Sequence, residues 1–189
     1  MGKLVVTEFV SIDGVFQDPG GAEDYEYGGW TFEYDRGEDG DKFKMDELMD
    51  ADVQLFGRRT YEAFAGAWPS REGPFADKIN NGAKYVVSNT LTDPTWQNTR
   101  VIAGDVAEGV SKLKDETEGS ILVAGSGTLV QALLAADLVD ELRLMLFPTI
   151  LGRGKRLFPD GIDRLMFTLA HSRTVGSGGV QVQVYSRAA

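Results

Sequence analysis

The 189-residue sequence has no cysteine and a single histidine. Without thiols there is no disulfide framework, thiol nucleophile or thiolate metal site. With His171 alone, neither a Ser–His–Asp triad nor a multi-histidine metal centre is expected. His171 falls in a strand-like stretch, 166–175, and reads as structural. No apolar run approaches the ~20 residues that span a bilayer. The N-terminal stretch MGKLVVTEFVSIDG lacks the charged, apolar and cleavage regions of a signal peptide. It reads as a first strand, and a cytoplasmic protein is expected. Basic residues are scarce, 19 against 29 acidic, for a net charge of −10. Most of that excess lies between Ala22 and Asp52, where twelve acidic residues face three basic ones. Repulsion between this charge and phosphates argues against a nucleic-acid partner. The acidic segment has no EF-hand spacing and reads as a solvated loop and helix face, so no metal is expected. Repeats, low-complexity tracts, linkers and a phosphate-loop GK[ST] sequence are also missing.

What is present is an ordinary globular composition, 42% apolar and 25% charged, in a chain of single-domain length (1–189). The most informative stretch is Ser120 to Phe158. Ile121–Ala124 is a short apolar run, the pattern of a strand buried on both faces. Gly125, Ser126 and Gly127 break it, and Leu129, Val130, Leu133, Leu134 and Leu138 then recur at helical spacing. A helix that starts on a glycine turn offers free N–H groups and a positive dipole end, a setting for an anion. A strand–GxG–helix junction is also a common turn, and the full dinucleotide fingerprint is absent, with Thr128 and Val130 where it would continue. Glu141–Phe147 is again strand-like. A loop with Gly152, Arg153, Gly154, Lys155 and Arg156 follows, a second possible phosphate contact.

A second junction of the same kind lies upstream. Val53–Phe56 reads as a strand, Gly57, Arg58, Arg59 and Thr60 follow, and a helix continues through Tyr61–Phe64. Two cations at a helix N-terminus oppose its dipole. Their placement makes sense if an anion sits between them, since arginine suits bidentate phosphate contact. The alternative is a pair of surface arginines balancing local acids.

In order, the chain reads as a strand at Leu4–Val10 ended by Ser11, Asp13 and Gly14. A long surface loop, Gln17–Trp30, comes next. Trp30, Phe32 and Tyr34 are expected to pack that loop down. A helix is expected at Asp41–Met49, the Val53 strand and its helix next, and a short helix at Phe75–Asn81. The strand Lys84–Val87 ends in Ser88 and Asn89, polar groups placed to reach a sugar or phosphate. A strand at Arg100–Ile102 and a helix over Val106–Glu116, capped by Asp105, precede the central piece. The chain ends in two strands, Met166–Val175 and Val180–Ser186, joined by Gly176–Gly179, with Val180, Val182 and Val184 alternating against glutamines. Strands alternating with helices and then a strand-only end predict an α/β fold. Its central sheet would be mixed but mostly parallel, flanked by helices, with an antiparallel C-terminal hairpin. A homodimer through those last strands is plausible.

In this order and spacing the segments VVTEFVSIDGV (5–15), FGRRTYEAF (56–64), KYVVSNTL (84–91), the stretch 121–158 and the final hairpin resemble the dihydrofolate-reductase-like superfamily. They are most similar to the branch containing the reductase domain of bifunctional riboflavin-biosynthesis deaminase-reductases. The resemblance covers nearly the whole chain. It implies a dihydrofolate-reductase-like single domain and NADPH-dependent reduction of a pteridine- or aminopyrimidine-type small molecule. It places Gly57, Arg58, Arg59 and Thr60 at the first phosphate-contacting turn. Ser88 and Asn89 fall near the adenosine ribose and its 2′-phosphate. Gly125, Ser126, Gly127, Thr128 and Leu129 fall beneath the pyrophosphate and nicotinamide side. Ser11, Asp13 and Gly14 match the loop over nicotinamide and substrate, with Asp13 as candidate catalytic residue, orienting substrate or relaying a proton. Ala124 stands where many relatives carry glycine. Asp41, Asp46 and Glu47 occupy the region of the helix carboxylate that dihydrofolate reductases use. The zinc-binding deaminase domain fused to the riboflavin-pathway enzymes is not expected within these 189 residues. Dihydrofolate reductase-type activity and a non-catalytic NADPH-binding protein are the alternatives.

Overall fold

The computed structural model describes residues 1–188. Eight strands lie in the sheet order β4-β3-β2-β5-β1-β6-β8-β7. In chain order they are β1 (Lys3–Ser11), β2 (Ala51–Gly57), β3 (Ala83–Val87), β4 (Thr99–Ile102), β5 (Ser120–Ala124), β6 (Glu141–Phe147), β7 (Phe167–Val175) and β8 (Val180–Arg187). The helices are α1 (Gly37–Met49), α2 (Arg58–Ala67), α3 (Pro74–Asn81), α4 (Val106–Glu116) and α5 (Gly127–Ala135), with a 3-10 turn at Trp30–Glu33. Two compact units divide the chain: Met1–Val6 with Met45–Asp140, and Thr7–Lys44 with Glu141 onward. This is the α/β fold anticipated above, parallel in its middle and antiparallel at its end.

In the first unit β4, β3, β2 and β5 run parallel, with Phe56 opposite Val86 and Leu55 opposite Val123. β5 is buried on both faces through Ile121, Leu122 and Val123, as a continuous apolar run requires. A core of Leu48, Phe56, Tyr61, Ile79, Val86, Trp96 and Leu122 fills one side. Trp96 is tied at both ends: its backbone N–H donates to Tyr61 Oη (2.9 Å) and its indole N–H to Asn80 Oδ1 (3.0 Å). Helix α4 begins where Asp105 accepts the Glu108 N–H at 2.9 Å, a side-chain cap.

In the second unit β6, β8 and β7 are antiparallel, with Met145 opposite Val182 and Val175 opposite Val180. Their core gathers Trp30, Met145, Phe147, Val175, Val180 and Val182. Trp30 is 2% exposed and meets Phe147 edge-on at 5.3 Å, while its indole N–H donates to Gln17 O. Tyr34 packs on the same ring. Phe32 departs from the expectation. It is 79% exposed, because the 3-10 turn points residues 30 and 32 to different sides.

Candidate functional site

The two strand–glycine–helix junctions are neighbours because β2 and β5 are paired and parallel. Both strands end on the same side, and α2 and α5 start there, at Arg58 and Gly127. β2 leads outward to β3 and β4 on one flank while β5 lies on the other. The carboxyl ends of β2 and β5 are therefore at the switch-point position where open α/β sheets bind ligands.

The junctions interlock. The Gly57 N–H donates to Ser126 Oγ at 2.9 Å. Gly125 has a φ of +64°, and a Cβ there would sit 3.2 Å from Thr60 Cγ2. Ser126 is also left-handed, with φ +65°. That region is costly for a residue with a Cβ and concentrates at functional turns. The bond from Gly57 helps hold Ser126 there. Its hydroxyl, engaged on Gly57, caps nothing on α5. The first-turn N–H groups of α5, at Gly127, Thr128 and Leu129, have no partner within their own helix, as at any helix start. Gly127 and Leu129 are buried and Thr128 is exposed. Arg58 pairs with Glu62 one turn on, at 2.9 Å and with both side chains half-exposed. Arg59 is exposed and makes no ion pair among the described residues. One of the two guanidiniums is thus internally balanced and the other is not.

Ser88 and Asn89 stand at the end of β3, beside that of β2. Ser88 Oγ accepts the N–H groups of Thr90 (3.1 Å) and Leu91 (3.0 Å), and Asn89 Oδ1 accepts that of Gly104 (2.6 Å). Their side chains shape the loop, and the Ser88 N–H itself donates to Ile102 O.

In the second unit Ser11, Asp13 and Gly14 form one tight turn. The Val15 N–H donates to Ser11 Oγ at 2.9 Å, and Gly14 takes φ +82°. The Asp13 carboxylate accepts the Ser11 hydroxyl (2.7 Å) and the N–H groups of Leu151 (3.1 Å) and Gly152 (2.8 Å). Arg156 donates to the Asp13 carbonyl, and its guanidinium lies 3.7 Å from Asp13 Oδ2. Desolvation alone would raise the Asp13 carboxyl, but these hydrogen bonds outweigh it and hold the group below its ordinary range. The other cations of this loop are paired as well. Arg153 lies 3.2 Å from Glu26 and Lys155 3.6 Å from Glu23. The loop that reads from sequence as a phosphate contact is therefore matched to part of the acidic segment.

Of the three α1 carboxylates singled out from sequence, only Glu47 is buried; Asp41 and Asp46 are exposed. Sequence reasoning passed over Glu8. It lies in β1, is 4% exposed, and its Oε1 has no hydrogen-bond partner. Burial pushes its carboxyl up to about 8, against the pull of the Lys44 charge. A charged residue inside an apolar strand, VVTEFV, was the available signal. A groove of about 740 Å³ opens at the opposite ends of the first unit's strands, lined by Asp52, Lys84, Arg100 and Glu116 among others. Its one buried ammonium, Lys84, is already committed to the carbonyls of Ile79, Asn80 and Gly82.

Topology and junction geometry together define an α/β protein of the dihydrofolate-reductase type. The chain belongs to the RibD C-terminal domain family, which it matches over residues 2–181. It is 29% identical over 186 residues to the uncharacterized protein YyaP of Bacillus subtilis (strain 168), covering 95% of this chain and 93% of that one. The crystal structure of a Shewanella sp. PV-4 protein named for riboflavin biosynthesis superposes with a TM-score of 0.78 at 22% identity, over 99% of both chains. Dihydrofolate reductase from Enterococcus faecalis, complexed with NADP(H) and RAB-propyl, superposes with a TM-score of 0.59 at 16% identity, over 99% and 97% of the two chains. The fold is that of a riboflavin-biosynthesis-type reductase. Among the described residues no helix is long and apolar enough to cross a membrane, and no cluster of three or more His, Cys, Asp or Glu side chains could hold a metal.

Proposed function

We propose that this chain is an NADPH-dependent reductase of a pteridine- or aminopyrimidine-type small molecule. The observation that carries the reading is the interlock of Gly57 with Ser126 and of Thr60 with Gly125. It sets two helix starts side by side, with one unpaired arginine at the first. The donor set suits a dinucleotide. Gly125 lets the Thr60 side chain close onto the backbone, the α5 N–H groups of Gly127, Thr128 and Leu129 suit a pyrophosphate, and the Thr60 hydroxyl adds a donor. Arg59, with Arg58 beside it, suits the extra phosphate that separates NADPH from NADH. Ser88 and Asn89 shape the wall beside it.

When bound, the cofactor supplies the hydride, and the protein supplies binding and orientation. Asp13 enters as a positioning residue. Its carboxylate is ionised and engaged by three donors, so it fixes the Ser11–Gly14 turn and is a poor proton source. That turn is the proposed substrate-recognising element of the second unit. Riboflavin-pathway substrates fit the family best. Dihydrofolate-type activity is the second reading, and buried Glu47 is the carboxylate that favours it.

Calorimetric titration with NADPH and NADH tests the cofactor. Micromolar NADPH with far weaker NADH is expected. Arg59→Ala should weaken NADPH at least tenfold and leave NADH nearly unchanged. Equal loss for both would remove the 2′-phosphate role, and no binding of either would sink the reductase reading. Tight NADPH binding without turnover on pterins or aminopyrimidines would mark a non-catalytic binder.

A further inference from the structure

Asp18 opens the loop between Gln17 and Trp30, and it is only 5% exposed. Its Oδ1 accepts the Ala22 N–H at 2.6 Å, but its buried Oδ2 has no hydrogen-bond partner. It makes no ion pair among the described residues. The cations of the 153–155 loop are committed to other acids, Arg153 to Glu26 and Lys155 to Glu23. A buried carboxylate oxygen with neither donor nor counter-charge is costly, and a cation beside it removes that cost.

The surroundings of Oδ2 select the ion. A Cβ at Gly28 would collide with Asp18 Oδ2 and lie 3.2 Å from the Tyr25 carbonyl oxygen. Carboxylate and carbonyl therefore converge on the side of Gly28 that carries no side chain. The Tyr25 carbonyl takes the Gly28 N–H at 2.9 Å and keeps a second lone pair. Residues 17–29 include four acids and no Lys or Arg, so the local potential is negative. One buried carboxylate is balanced by one positive charge. A divalent ion calls for more carboxylates, and among the described residues no cluster of three or more His, Cys, Asp or Glu side chains is present. Oxygen donors drawn largely from the backbone suit a monovalent metal ion, whose hydration shell carbonyls replace.

We propose that Asp18 Oδ2 and the Tyr25 carbonyl bind a monovalent cation, sodium or potassium, within the 17–30 loop. The ion neutralises the buried charge and ties residue 18 to residue 25 across the loop. Beside it the Gly21 and Gly29 N–H groups donate to Asp18 O, and the Trp30 indole donates to Gln17 O. The site is thus continuous with the Trp30 core beneath the loop.

The test is amide hydrogen exchange of the full chain in potassium chloride and in sodium chloride, each titrated against choline chloride at constant ionic strength. Constant ionic strength keeps the exposed Glu23–Lys155 and Glu26–Arg153 pairs equally screened throughout. At about ten times the midpoint concentration, the N–H groups of Ala22, Gly28 and Gly29 should exchange about tenfold more slowly than in choline chloride, by mass action. The more effective salt identifies the ion. Asp18→Asn keeps an acceptor for the Ala22 N–H but removes the charge, and should abolish the response. Gly28→Ala sets a Cβ against Oδ2 and should abolish it too. Equal exchange of the wild type in all three salts overturns the proposal without recourse to either variant. So does a response that survives Asp18→Asn, or one given by calcium or magnesium chloride and not by sodium or potassium.

Discussion

Glu8 is a costly residue to ionise in place. Its carboxyl is buried in β1 with one oxygen unpartnered, and its value rises from an ordinary 4.5 to about 8. Below pH 4 the group is protonated both folded and unfolded and contributes no pH dependence. Between 4.5 and 8 the unfolded chain releases the proton while the folded chain keeps it, so stability falls as pH rises. Above 8 the penalty is complete, on the order of 5 kcal/mol. Glu8→Gln removes the ionisation at little change in shape. Thermal melts should show the variant about 10 °C or more above wild type at pH 8.5 and level with it at pH 4. A variant less stable at both pH values would mean that Glu8 is held by a partner it needs. Gly125 is the other decisive residue. Gly125→Ala puts a Cβ at φ +64° and against Thr60, which should cost about 1 to 2 kcal/mol of stability and weaken NADPH binding beyond that loss. An alanine variant that binds normally would show that the turn tolerates displacement.

At the scale of elements, two kinds of helix start occur. Helix α4 is capped conventionally by Asp105, and Asp105→Ala should lower stability by about 1 kcal/mol in urea unfolding without touching cofactor affinity. Helix α5 has no side-chain cap and begins from a left-handed serine tied to the neighbouring junction. A helix start left without its own cap keeps its donors for something else, so the loss on binding should appear in variants of α5 and not of α4. The extents of α4 and β6 follow the sequence reading residue for residue, because Asp105 and Pro148 mark their limits. α1 begins four residues earlier than the apolar pattern suggests. Acidic residues at Glu38 and Asp39 favour its first turn through the dipole, a contribution that hydrophobic spacing does not register. The loop between Gln17 and Trp30 is held by backbone and side-chain acceptors, among them Gln17 O for the Trp30 indole and Arg153 O for the Tyr25 hydroxyl. Its exposed ion pairs, Glu26 with Arg153 and Glu23 with Lys155, contribute little at physiological salt.

For the whole molecule, ligand binding to the native state alone must raise apparent stability by mass action. NADPH at about a hundred times its dissociation constant adds about 2.7 kcal/mol, which for a chain of this length raises Tm by about 5 to 10 °C. NADH at the same concentration should leave Tm nearly unmoved. An equal shift with both nucleotides would argue for a dinucleotide protein indifferent to the 2′-phosphate. The charge of the molecule is uneven in a way that composition conceals. The acidic excess of residues 22–52 partly faces the cations of residues 153–155, while the last hairpin has no acidic residue at all. The sequence by itself determined the fold class, the order of elements and the two glycine junctions, because hydrophobic period, turn residues and caps are local signals. It also pointed to Arg58, Arg59 and the Ser11–Gly14 turn. Only the tertiary structure decided that Ser126 reaches Gly57 across 69 positions, that Arg153, Lys155 and Arg156 are matched by Glu26, Glu23 and Asp13, and that the Asp13 carboxylate accepts hydrogen bonds from Leu151 and Gly152. Each of these depends on which strands and loops become neighbours, and that pairing is set by the collapse of the whole chain.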